Sequence, residues 1–114
     1  MSDVFKERIP CTSGFDVSCN VLEVKVYYDL GGVSWATGDR NKRGYYLSVS
    51  PLQVSSNTVM YQGFSGMYYF LNEVARQSKK GEEIALKLAQ ESKKMVIDAV
   101  CKKHGIELKE AVNV

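Results

Sequence analysis

The chain has few of the residues that break, staple or catalyse. Only two prolines occur among 114 residues and no polar low-complexity run is present, so most of the chain is expected to be ordered. Cysteine is limited to Cys11, Cys19 and Cys101, an odd number without a Cys-x-x-Cys. That count does not suit a disulfide scaffold and points to reduced thiols. A Cys11–Cys19 bridge stays open, because spacing does not fix the Cα distance a disulfide needs.

His104 is the only histidine, so one chain offers no histidine pair and no zinc signature. Cys101 stands three residues before it, at a helix C-terminus, where the dipole disfavours a thiolate. Long apolar runs are also missing, and nothing approaches the roughly 20 residues of a spanning helix. Met1-Ser2-Asp3-Val4-Phe5-Lys6 has no apolar core of a secretory signal. A cytoplasmic protein with no membrane partner is expected.

Nor does one sign of charge dominate. Residues 1–65 carry six Lys/Arg against six Asp/Glu, and residues 66–114 nine against seven. A groove-reading nucleic-acid binder is usually more lopsided. Glu83 with Lys87 and Asp98 with Lys102 have the spacing of solvated helix pairs. The glycines form no phosphate loop: Gly31-Gly32 lies between strands, and Gly63-x-x-Gly66 is too short to be informative. No cofactor and no catalytic residue is expected, so the chain reads as a non-enzyme.

What is present is patterning. Residues 1–19 have no clear period and read as an arm or irregular segment. From Val21 the chain alternates: Leu22, Val24, Val26, Tyr28 and Leu30 face one way, Glu23, Lys25 and Tyr27 the other. Gly31-Gly32 offers a tight turn. Val33–Thr37 reads as a second strand and 38–44 as a polar hairpin tip. Tyr45 to Val54 reads as a third strand bent or edged at Pro51, and Thr58 to Phe64 as a fourth.

Beyond Phe64, Met67, Phe70, Leu71, Val74, Ala75 and Ser78 follow helical spacing, with Ser65 as N-cap and Gly81 as stop. A second helix is expected over 82–103, burying Ile84, Leu88, Ala89, Met95, Val96, Ala99 and Val100, with Gly105 ending it. The expected fold is α+β: a four-stranded antiparallel meander over about 21–64, one face covered by two helices at 66–80 and 82–103. Residues 20–104 then form one domain, and 105–114 a tail, docked or frayed.

Two features carry a functional expectation. The basic loop Arg40-Asn41-Lys42-Arg43 lies near Trp35 and Tyr46 in the flanking strands. Cations for phosphates beside ring faces for bases suit single-stranded nucleic acid. Lys25, Tyr27 and Tyr46 would line the sheet face opposite the helices, where tyrosines present apolar bodies with polar tips. The candidate nucleic-acid-binding residues are therefore Lys25, Tyr27, Trp35, Arg40, Lys42, Arg43 and Tyr46. The alternative is a protein-interaction or self-assembly module, pairing an exposed sheet face or edge with a protein partner or in a homodimer.

Gly31-Gly32-Val33-Ser34-Trp35-Ala36-Thr37-Gly38, followed by Arg43-Gly44-Tyr45-Tyr46-Leu47-Ser48-Val49-Ser50-Pro51, resembles small uncharacterised proteins of gut Bacteroidales and their mobile elements. The resemblance covers roughly residues 21–100 and implies a bacterial or phage-derived cytoplasmic accessory protein, with no site residue attached. The strand-then-helix order is also similar to that of PUR-type single-stranded nucleic-acid binders, by element order alone.

Overall fold

The computed structural model describes residues 2–33, 40–56, 58–62 and 66–109. Strands β1 (Ser2–Pro10), β2 (Val21–Asp29), β3 (Gly32–Val33), β4 (Arg40–Asn41), β5 (Gly44–Ser55), β6 (Thr58–Gln62) and β7 (Met67–Glu73) precede one helix, α1 (Lys79–His104). The main sheet runs β1-β2-β5-β6, with β7 also on β5, and every pairing is antiparallel. β6 pairs with Leu52–Ser55 and β7 with Gly44–Val49. These two strands therefore lie end to end along one side of β5, opposite β2.

The alternation in β2 does what its period requires. Leu22, Val24, Val26 and Tyr28 are buried beneath α1 together with Tyr45, Leu47 and Val49 of β5. Ala85, Ala89, Val96, Ile97 and Val100 are the helical side of that core. Leu30 falls just beyond the strand and is exposed, as are Ile84 and Met95 of the helix, both expected inside.

Among the described residues one helix is found where two were expected. Residues 67–73 are strand β7, and the reason lies in a bulge. Tyr45 pairs with Asn72 and Tyr46 with Phe70, which leaves Leu71 as the extra residue. Met67, Leu71 and Val74 all pack on the core; the bulge shifts the alternation by one and imitates helical spacing. The Tyr-Tyr-Phe run itself favours strand. Gly81 does not stop the helix but sits in its first turn, 3.3 Å (as an added Cβ) from the Tyr45 ring. Ser78 is the N-cap, accepting from the Gly81 amide at 3.0 Å. Gly105 ends the helix in the left-handed conformation, as expected. Ser65 and Phe64 lie outside the described residues.

Residues 2–10 are the second correction: they form β1 against β2 instead of an arm. Gly31-Gly32 is not a tight turn either. β2 pairs directly with β5, and β3 with β4 extends that hairpin in the same register, Asp29 opposite Gly44 and Gly32 opposite Asn41. Pro51 keeps its place opposite Leu22, and the break between β6 and β7 falls beside it.

The loop 11–20 docks on the end of α1. Asp16 Oδ1 lies 2.7 Å from His104 Nδ1, and the Phe15 amide donates to the His104 carbonyl. Leu108 bridges to Cys11 and Ile106 is buried, so the described part of the tail is docked.

Candidate nucleic-acid and strand-pairing surface

The sheet face away from α1 carries Lys6, Arg8, Glu23, Lys25, Tyr27, Asp29, Tyr46, Ser48, Tyr68 and Phe70, placed there by cross-strand register. Three rings form a ladder across it. Tyr27 stacks on Tyr46 with centroids 5.7 Å apart, and Tyr46 meets Phe70 edge-on at 5.1 Å. Lys25 Nζ lies 5.4 Å from the Tyr27 centroid and Lys42 Nζ 5.5 Å from that of Phe70.

The sequence candidates divide accordingly. Lys25, Tyr27, Lys42 and Tyr46 come together in the ladder. Tyr27 and Tyr46 are only 6% and 9% exposed, so their ring faces are largely committed to each other. Burial raises both phenol pKa values, with Asp29 adding to each. The Tyr46 hydroxyl donates to the Lys42 carbonyl at 2.7 Å. Arg43 is a fastener: its Nε donates to the Leu30 carbonyl and Nη1 to the Ala75 carbonyl, at 2.9 and 3.3 Å. Arg40 is in β4, paired with Val33. Trp35 lies outside the described residues.

Sequence reasoning missed β7. Tyr68 is 66% exposed, Tyr69 40%, and Phe70 half-buried. Thr58 to Asn72 contains no charged residue, and that was the available signal. Among the described residues nothing pairs with the outer side of β7. The opposite edge, β1, carries Asp3, Lys6, Glu7, Arg8 and Pro10, the charges and proline that blunt sheet edges.

Comparison with protein-family models, curated proteins and solved structures returns no match.

Among the described residues no cluster of three metal-ligating side chains occurs, and no helix is long and apolar enough to cross a membrane. A cleft of about 110 Å³ lies between β1 and α1, floored by Val24, Val26 and Leu47 with Lys93 at its side, smaller than ordinary ligand pockets.

Cys11 and Cys19 are buried free thiols with sulfurs 3.8 Å apart. Burial, then the neighbouring Cys19, pushes the Cys11 thiol from 9.0 up to about 12. Because the folded value is the higher one, this group's contribution is intact below about pH 9 and is lost as pH rises toward 12. Urea unfolding across that range should show stability falling with pH, and Cys11→Ala should flatten the slope.

Proposed function

We propose that the chain is a non-enzymatic interaction module that takes an extended polypeptide segment along the outer edge of β7. The observation carrying this reading is the contrast between edges: β1 is guarded by charge, whereas Thr58 to Asn72 is uncharged and β7 exposes Tyr68 and Tyr69. An added strand would gain main-chain hydrogen bonds, and alternate side chains would set specificity. A reducing, cytoplasmic setting suits the three unbridged thiols.

Single-stranded nucleic acid is the second reading, favoured by one observation: Lys6 stands directly opposite Lys25, and Lys25 and Lys42 flank the aromatic ladder. Asp3, Glu23 and Asp29 on the same face weigh against it, since they repel phosphates.

Selection from a random peptide library against dilute protein tests the first reading. Enriched ligands should be extended, uncharged sequences whose binding falls about tenfold or more on Tyr68→Lys/Tyr69→Lys. Failure to enrich any such peptide counts against it. Oligonucleotide binding that weakens with salt and with Lys25→Ala/Lys42→Ala would favour the second reading.

A further inference from the structure

We infer that the segment accepted by β7 is β7 of a second copy, paired antiparallel about a twofold axis at Phe70. The inference rests on the edge reading above and names its occupant. An isologous antiparallel contact sets a strand against itself reversed, so each side chain must tolerate its mirror position. On β1 such pairing would juxtapose a dense set of charges. On β7 the only charge is Glu73 at the end of the strand. With the bulge residue Leu71 out of register, a dyad at Phe70 sets Asn72 opposite Tyr69 of the other copy and Glu73 opposite Tyr68, so no like charges meet.

The aromatic ladder supplies the second argument. Tyr27, Tyr46 and Phe70 lie on three successive strands, β2, β5 and β7, and the row ends at the sheet edge on a half-buried ring. Pairing at Phe70 brings the two end rings together as a cross-strand pair, the favoured neighbour for an aromatic in a sheet. Two three-ring rows then become one row of six. The same contact covers Tyr68, otherwise two-thirds exposed, and satisfies the outward backbone groups of β7. Both copies of α1 then lie on one side of the continuous sheet.

The test is sedimentation of the full chain from micromolar to millimolar concentration, with distance measurement between nitroxides on Glu73→Cys. The expected result is a reversible dimer with a backbone separation of about 14 Å at position 73, from two register steps on each side of the dyad at about 3.4 Å each and the spacing between paired strands. Tyr68→Lys, at a largely exposed position, should weaken the dimer about tenfold or more while leaving the circular dichroism unchanged; Phe70→Lys should do so more strongly. A monomer at millimolar concentration overturns the inference, as does a dimer indifferent to Tyr68→Lys or with another separation at position 73. Library peptides captured by a chain that stays monomeric would sink self-pairing and leave the edge reading intact. A dimer of the expected geometry that captures no peptide would restrict the edge to its own kind.

Discussion

Tyr45→Ala should destabilise the fold by about 3–5 kcal/mol, the range for removing a buried aromatic from a core. Tyr45 is completely buried and is the largest such side chain among the described residues. Its ring meets Tyr28 edge-on at 5.2 Å, binding β5 to β2 beneath the helix. Its hydroxyl lies 3.4 Å from both the carbonyl and the amide of Ser78, the residue that caps α1. One side chain thus joins the middle of the sheet to the start of the helix. Tyr45→Phe keeps the ring and loses only the hydroxyl contacts, so a loss of about 0.5–1.5 kcal/mol is expected. Urea denaturation of both variants checks the pair. Equal losses would show that the ring does not carry the packing assigned to it. Against a total stability of about 5–15 kcal/mol for a natural domain, the alanine variant should lose between about a fifth and the whole of that margin.

Gly14→Ala should cost about 1–3 kcal/mol, toward the upper end of what overpacking costs. A Cβ at Gly14 would stand 2.2 Å from the His104 carbonyl oxygen and 3.1 Å from Ile106 Cγ1. The first of these is backbone at the end of a helix, which cannot rotate away. Relief requires the loop 11–20 to lift, and that loosens the Phe15 amide bond and the Asp16–His104 contact together. Thermal unfolding should show the loss, and amide exchange should place it in residues 12–19 and 104–108. A variant as stable as the parent would mean that the loop does not clamp the helix end.

What could be read from the chain follows from how each element is buried. β2 and β5 lie in the middle of the sheet, so period-two alternation is strong and Leu22, Val24 and Val26 were placed correctly. The helix was legible at its C-terminal end, where Lys102, Lys103 and Gly105 mark the stop. Its beginning was not, because Gly81 looks like a breaker in sequence; a small residue is required there by the Tyr45 ring and the Ser78 hydroxyl. β1 escaped for two reasons. It is an edge strand with charges on both faces, and its register shifts between Asp3 and Phe5, which erases the alternation. β7 was misread because the bulge at Leu71 converts a strand period into a helical one. That error moved Tyr68, Tyr69 and Phe70 onto a helix and hid the aromatic edge.

The site was legible to the same extent. Lys25, Tyr27 and Tyr46 could be assigned to one face by counting alternate residues in central strands, and they meet there. Proximity in sequence to a basic loop was a poorer guide for Arg43, whose donors hold the Leu30 and Ala75 carbonyls. The exposed aromatic surface lies instead one strand further out.

The central claim is that the outer side of β7 is the face that engages another chain, and residue-resolved amide hydrogen exchange tests it most directly. In dilute protein the outward amides of Met67–Glu73 should exchange fast, and they should become protected as concentration rises or as a selected peptide is added, with β1 unchanged. Protection that builds on β1, or on the Lys25–Tyr46 face while β7 stays open, would contradict the claim.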